Sequence, residues 1–412
     1  MNQYEVIVVG GGAAGLLAAG RAAESGAKVL LLEKMNQPGR KLRITGKGRC
    51  NLTNIAPMRE FMDHIGENSR FLRHAFSCFF SKELIEFFEN KGVPITVERG
   101  ERAFPTSEQA QDIFNALVRW VEKLKVDVRK ESCVTKLIVS EGVISGVEVN
   151  NTTIFNANKV IIATGGASYP ATGSTGDGYR LAKSVGHTVT PIRPALVPLE
   201  TKGNTAQELQ GLSLKNVKAS IWIDGKKKGD EFGEMMFTHF GITGPIVLTL
   251  SRKFSIEIQA KKQMVCSIDL KPALDDPKLD ARLLRDLNEH GKMKFQSVLK
   301  LWLPGKLASL AGDLLKISGD KLCHQISAEE RKRIRLWLKD FRFEITGSRS
   351  FNEAIITAGG VELKEVDAKT MESKIIKGLF FAGEVLDLDA DTGGYNLQIA
   401  FSTAWLAGGV SS

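Results

Sequence analysis

Cys50, His239 and Tyr395 are the side chains of this sequence best suited to move a proton or an electron pair. His239 lies in the stretch MMFTHFGITGP, between strand-like residues 234–238 and a glycine turn. An imidazole there can titrate near neutral pH and protonate a carbanion left by hydride addition. Tyr395 follows Gly394 at the expected start of a helix and could donate a proton or shape a pocket. Cys50 stands alone in GRCN, so a reactive thiol is open to it, whereas a redox disulfide would need a partner in distant Cys78. Each also has a plain reading: a small packing residue at 50, a hydrogen-bonded loop histidine at 239, a packing aromatic at 395. Tyr169 and Arg349 are weaker candidates.

What these groups would act with is set by the first stretch of the chain, YEVIVVGGGAAGLLAAGRAAESGAKVLLLEK, residues 4–34. Val6–Val9 and Val29–Leu32 are continuous apolar runs, the pattern of parallel strands buried on both faces. Between them, residues 13–25 read as a helix. Gly10, Gly12 and Gly15 form G-x-G-x-x-G at the strand-to-helix turn. That spacing gives a tight turn, close backbone approach of a diphosphate and close helix–strand packing, with the helix N-terminus facing the phosphates. Ala14 belongs to this first helical turn, and Glu33, followed by Lys34, ends the second strand. A carboxylate at that place accepts both hydroxyls of an adenosine ribose and repels a 2′-phosphate.

The next residues distinguish between dinucleotides. Residues 38–54, PGRKLRITGKGRCNLTN, are rich in glycine and in Arg40, Lys41, Arg43, Lys47 and Arg49. Such a loop suits a long anionic ligand and points to FAD, because an NAD domain would continue into another strand–helix unit. Thr45, Gly46, Gly48 and Asn51 fall in it. Two later stretches agree. In KVIIATGGASYPATGSTGDGY (159–179) a strand ends in Thr164-Gly165-Gly166. In GLFFAGEVLDLDADTGGYNLQIAFSTAWLAGG (378–409) a strand ends in Gly383-Glu384, and Gly393-Gly394 precede a helix from about Asn396 and Leu397. The dipole of that helix would stabilise negative charge on a reduced flavin.

The succession GGGAAG, GRKLRITGKGRCNLTN, ATGG, FTHFGITGP and AGEVLDLDADTGGYNLQ resembles the YhiN-type, BaiN-like bacterial NAD(P)/FAD-dependent oxidoreductases, also called aminoacetone-oxidase-like. The resemblance spans essentially the whole chain, and its loop 46–54 and tail 383–398 are specific to that family. It implies a glutathione-reductase-type FAD-binding Rossmann domain of α/β class, built from two sequence segments, with an inserted domain that has a β-rich and a helical part. It carries FAD contacts onto Glu33, Lys41, Gly48, Arg49, Asn51, Val134, Gly393 and Asn396. Reductases of enone-type substrates and amine oxidases are both among the activities it implies.

The elements that must hold these residues follow the same division. Residues 81–91 and 107–125 are amphipathic, the second with Phe114, Leu117, Val118, Val121 and Leu124 on one face. Residues 133–163 read as a β-meander with turns at Glu141-Gly142 and Asn150-Asn151, before the A-T-G strand. Alternation at Val217, Ala219, Ile221 and Ile223 marks a half-exposed strand. Helical periodicity dominates residues 275–340. The expected domains are 1–190 with 341–412 for FAD, 191–270 as an inserted β subdomain and 271–340 as an inserted helical one.

Composition sets the remaining bounds. With 412 residues, 43% hydrophobic and 25% charged, the chain reads as a globular protein of more than one core. Five scattered cysteines and no leader-like N-terminus lead us to expect a cytoplasmic protein without disulfides, zinc or membrane attachment. Residues 191–340 hold 26 Lys/Arg against 18 Asp/Glu, while the net charge of the chain is +9. That excess suits an anionic substrate, a nicotinamide phosphate or RNA. Its modest size, without an aromatic–basic recognition motif, argues against nucleic acid. No second G-x-G-x-x-G follows a strand, so NAD(P)H, if it is the donor, visits transiently. The leading expectation is an FAD-dependent oxidoreductase acting on a small organic molecule. An RNA-associated flavoprotein and a flavin redox sensor are the alternatives.

Overall fold

A computed structural model describes residues 3–409 of the chain. It folds as two compact units, one made by the segments up to Ala195 and from Ser350, the other by Leu196–Arg349.

The first unit is built on a parallel sheet. Strand β1 (Gln3–Val9) leads through helix α1 (Ala13–Glu24) to strand β2 (Val29–Leu32). β1 pairs in parallel with β2 on one side and with the strand Thr153–Ile162 on the other; Asp127–Arg129 and Leu379–Phe381 extend the sheet outward. Val6–Val9 and all of β2 are buried, as their unbroken apolar character requires of a sheet covered on both faces. Each such Val or Leu stabilises the fold by about 1.5–3 kcal/mol. Among the covering helices, the C-terminal helix Tyr395–Gly408 and the helix Ala110–Lys123 pack on α1. Gly20 permits the second contact, since a Cβ there would lie 2.2 Å from the Trp120 ring. The buried face of 110–123 is Ile113, Ala116, Leu117, Trp120 and Val121; the expected Phe114, Val118 and Leu124 are only half-buried.

The expected turns are present. Glu141, Gly142, Asn150 and Asn151 have left-handed φ of 51°, 76°, 52° and 58°; the first turn joins Ser140 to Val143 across two residues and the second joins Val149 to Thr153 across three. The meander differs in one respect from its reading in sequence. Its third strand is the A-T-G strand itself, Thr153–Ile162, whose first residues pair with the hairpin and whose last residues lie in the parallel sheet.

The second unit contains a closed antiparallel barrel. Around it run Leu199–Thr201, Gly241–Thr243, Lys226–Thr238, Ser213–Ile223, Met264–Asp269 and Phe341–Ser348, which returns to the first. The helices Asp276–Glu289, Phe295–Trp302, Gly305–Leu315 and Ala328–Lys339 share its hydrophobic core. Two expected boundaries therefore move. The β and helical parts expected at 191–270 and 271–340 lie within one unit, which starts at Leu196. The return to the first unit falls at Ser350, not 341, because Phe341, Phe343 and Ile345 alternate with exposed residues and close the barrel. No helix among the described residues is long and apolar enough to cross a membrane.

Candidate FAD site

Backbone geometry builds the core of the site. Gly10 has φ 102° and sits against Ala163, whose oxygen would lie 2.6 Å from a Cβ at position 10. A Cβ on Gly15 would come 1.8 Å from the Gly10 oxygen, so this glycine is required by helix–strand packing alone. Gly12 is different. It caps α1 with φ −81° and ψ −167°, a conformation open to any residue, and a Cβ there meets no atom within 4 Å. Packing within the protein does not call for glycine at 12, and the space beside its backbone is open. No side chain caps α1 and its first turn holds no acid, so its orphan N–H groups are left for a diphosphate. Ala14 lies buried in that turn.

Glu33, at the end of β2, is oriented by the chain it adjoins. Its Oε2 accepts from the Gly11 N–H and its Oε1 from the Met35 N–H, both at 2.8 Å. Burial pushes its carboxyl above the usual carboxylate range, against those hydrogen bonds and the nearby charges of Lys34 and Arg40. Lys34 itself pairs with Asp177 and bonds Thr175. Arg40, at the start of the helix Arg40–Ile44, is half-buried with no hydrogen bond or ion pair among the described residues.

The loop after that helix is wound through left-handed backbone at Gly46, Lys47, Gly48 and Cys50 (φ 57°, 59°, 88° and 59°). For the two non-glycines this costs about 1–2 kcal/mol each, so surrounding contacts must hold the loop in place. The Thr45 hydroxyl donates to Leu42 O at 2.6 Å, and the Cys50 N–H to Thr45 O at 3.0 Å. Arg49 is occupied by Glu98 and Glu108 and lies over the Phe104 ring. Beyond the loop, the Asn51 amide, in the orientation that satisfies both neighbours, donates to Thr53 O (3.2 Å) and accepts from Gly394 N–H (3.1 Å). A Cβ on Gly394 would lie 2.4 Å from the Thr53 carbonyl carbon, so segment 51–54 and turn 393–394 meet backbone to backbone.

The C-terminal helix starts from this turn. Gly394, at φ 99°, caps it without a side-chain bond, and its first turn holds no acid. The unit thus contains two helices of opposite sequence origin whose N-termini are kept free of counter-charge. Asn396 spends its amide on Ala390 N–H, Ala390 O and Asp391 O, fixing the preceding loop, and Leu397 beside it is half-buried.

A polar knot draws distant segments together. Lys41 Nζ donates to Glu384 Oε2 and Ser168 Oγ, both at 2.7 Å. Glu384 Oε1 accepts from Ser168 Oγ and Thr357 N–H, both at 2.9 Å. Gly166 sits against the knot, Thr164 and Gly165 precede it, and Gly383, at φ 77°, enters it from the last strand of the sheet. Lys41 and Glu384, each expected from the sequence as a cofactor contact, also bind one another. Val134 is buried at the start of its strand.

The three chemical candidates separate. Cys50 is wholly buried, and burial pushes its thiol up to about 12 despite a bond from Thr45. Burial and the raised acidity range both favour the packing reading of Cys50 over a reactive thiol. His239 lies exposed in the second unit, at the turn between Lys226–Thr238 and Gly241–Thr243, with the Phe240 ring edge-on at 4.9 Å. Tyr395 opens the C-terminal helix, buried between Phe61 (edge contact, 4.7 Å) and His64 (stacked, 4.5 Å). Burial first, then the charges of Asp391, Glu101 and Glu60, pushes its phenol up to about 12.

The sequence reading missed His64. Its Nδ1 lies 3.1 Å from Asp391 Oδ2, and its side chain remains 43% exposed, so Nε2 is open to exchange. Asp391 is close to Tyr395 in sequence, but nothing in the motifs marks residue 64. The bridge between Ile65 and Ala390 and the bond from Asn68 Nδ2 to Asp387 O bring the two loops together.

Comparison with known proteins agrees with this geometry. The chain is 32% identical over 406 residues to the ribosomal RNA dihydrouridine synthase of Escherichia coli K12, covering 98% of this chain and 97% of that one. It is 32% identical over 407 residues to the 3-dehydro-bile acid delta(4,6)-reductase of Clostridium scindens, covering 97% of each. Among solved structures, the 3-ketosteroid delta1-dehydrogenase of Sterolibacterium denitrificans overlays 99% of both chains with a TM-score of 0.51 at 13% identity, a likeness of fold. The profile of the HI0933-like protein Rossmann domain matches residues 4–410. On these matches, with the two helix N-termini left uncapped by side chains, the chain is an FAD-dependent oxidoreductase and belongs to the HI0933-like Rossmann family.

Proposed function

We propose that the protein saturates a carbon–carbon double bond conjugated to a carbonyl group, and that its substrate is a uracil ring in RNA. The observation that carries the first part is full-length likeness to two proteins whose names both denote reduction of a ring double bond. Bound FAD supplies the hydride chemistry. The chain binds and orients the flavin through α1, Glu33 and the C-terminal helix, and provides the proton. We assign that proton to His64 Nε2, with Asp391 holding Nδ1 and Tyr395 backing the ring. His239 remains a competing donor.

Support for RNA comes from the charge division. Residues 196–349 hold 27 Lys/Arg and 19 Asp/Glu, a balance of +8 that leaves the rest of the chain near neutral. At one end of the barrel the loop carrying Lys226 and Lys228 adjoins that carrying Lys261 and Lys262, the Asp224 N–H bonding Gln263 O between them, while Lys227 pairs with Asp230. This clustering outweighs the small net charge that argued against nucleic acid in the sequence. A small polycyclic enone is the second reading, favoured by the 32% identity to the bile acid reductase.

The test is anaerobic. The flavin is reduced with NADH, NADPH or dithionite and mixed with unmodified ribosomal RNA or with 3-keto-4-ene steroids. Flavin reoxidation with a two-hydrogen mass gain on a uridine supports the RNA reading. Reoxidation by the steroid alone moves the substrate to the second reading. Failure of every conjugated alkene to reoxidise the flavin would refute the proposal.

A further inference from the structure

The barrel unit has a pocket of about 360 Å³ between the strand Ser213–Ile223 and the end of the helix Phe295–Trp302. Leu214, Val217, Leu270, Leu303 and Trp302 form an apolar wall, and Lys215 and Lys271 are the charged residues that line it. The volume falls in the range of small-ligand sites.

Three features set these two lysines apart. First, neither has an acidic partner among the described residues, although carboxylates are near. Asp269 is taken by Lys339 Nζ (2.5 Å) and by the Lys271 N–H (2.9 Å). Asp286 is taken by Trp302 Nε1 (3.0 Å), Arg285 (3.0 Å) and Arg282 (3.6 Å). Second, Lys271 is half-buried, and burial, then the Arg282 guanidinium, holds its ammonium below the usual lysine range. A cation in that position lacks a counter-charge that the protein does not supply. Third, the backbone places Lys215 deliberately. Leu214 pairs with Met235 and Val217 with Gly233, so the strand carries one extra residue, and Asn216 takes φ 54° to accommodate it. This bulge turns both Leu214 and Val217 inward and presents Lys215 at the pocket.

We infer that this pocket is an anion subsite that takes a nucleotide phosphate, its two lysines meeting the phosphate oxygens and its apolar wall meeting the attached sugar or base. The choice of RNA as source rests on the reading proposed above; the site itself does not. A nicotinamide dinucleotide phosphate would present the same chemistry.

The experiment uses the FAD-loaded full chain. Binding of uridine 5′-monophosphate, uridine, inorganic phosphate and NADPH is measured by calorimetry, and binding of a uridine-rich RNA oligonucleotide by anisotropy across a salt series. The variants are Lys215→Gln with Lys271→Gln, and, as a control of equal charge change, Lys226→Gln with Lys228→Gln. Uridine monophosphate should bind and uridine should not. The pocket variant should lose at least tenfold in nucleotide affinity. Its RNA binding should weaken too, with the log–log salt slope shallower by about 0.7 for one phosphate lost from a single strand. The control should leave monophosphate binding unchanged. NADPH binding lost in the pocket variant, with RNA binding intact, would keep the subsite and overturn RNA as its source. Absence of monophosphate binding to the unaltered protein, or equal loss of monophosphate affinity in both variants, would overturn the subsite; RNA binding is not compared with this control, because Lys226 and Lys228 belong to the basic end of the barrel. Whether uridine is reduced is read separately by the mass gain, so the two proposals fail independently.

Discussion

Gly12→Val separates the two reasons for glycine in the fingerprint. The conformation at position 12 suits valine, and its Cβ enters open space, so the fold loses only the difference between glycine and valine as a helix cap. That is about 1 kcal/mol, a fall in Tm of roughly 2–4 °C for a domain of this size. The diphosphate, however, would be pushed off the α1 terminus. Losing two backbone N–H bonds to a charged group costs about 1.5–3 kcal/mol each, which weakens FAD by roughly 10² to 10⁴-fold. Gly15→Ala should behave in the opposite way, since its Cβ would sit 1.8 Å from the Gly10 oxygen and the protein should fail to fold. Thermal melts of the apoprotein, with titration of FAD followed by flavin fluorescence, read both quantities. A folded Gly12→Val protein with full FAD occupancy would mean that the cofactor does not lie where α1 points. An unfolded one would mean that the space beside Gly12 is not open.

Other consequences are equally direct. His64→Gln should retain FAD and its reduction while slowing substrate turnover about 10²- to 10⁴-fold; if His239→Gln does this and His64→Gln does not, the proton comes from the second unit. A thiol reagent should label exposed Cys78 in the native protein and reach Cys50, Cys266 and Cys323 only on unfolding; early labelling of Cys50 would contradict its burial. His187 is buried between Glu365 (3.0 Å) and Ser373 (2.8 Å), and burial, partly offset by Glu365, holds its imidazole below the ordinary value. Above about pH 6.5 it is neutral whether folded or not. As the pH falls from there toward the lowered native value, the unfolded chain binds the extra proton, so stability declines in that window. His187→Gln should flatten this part of the Tm–pH curve, and an unchanged slope would assign it to other groups. Lys41→Met should leave Glu384 without its counter-charge at a cost on the order of 3 kcal/mol, with Lys41→Met/Glu384→Leu recovering part of it; a single variant as stable as the parent would show the pair to be idle.

What could be read from the sequence was whatever adjacent residues decide. The glycine spacing at 10–15, the apolar runs of β1 and β2, Glu33 at the end of a strand and the hairpin turns at 141–142 and 150–151 depend on local φ/ψ limits and on strand period, and all appear in the fold. Even the barrel strand 341–348 carried its alternation openly, and was misplaced only because its pairing partners lie at 199–201 and 264–268. Tertiary structure decided who meets whom. Lys41 and Glu384 look like ligand contacts in their separate loops, and nothing in either loop shows that they pair with each other across 343 positions of chain. Cys50 sits in a basic, glycine-rich loop that would suit a reactive thiolate, but left-handed backbone turns its side chain into the core. His64 has no motif at all and gains chemistry only from Asp391, brought to it by a bridge 325 residues distant in sequence between Ile65 and Ala390. Burial and charge pairing act through space, so their effect on a side chain's acidity or availability is absent from any short stretch of sequence.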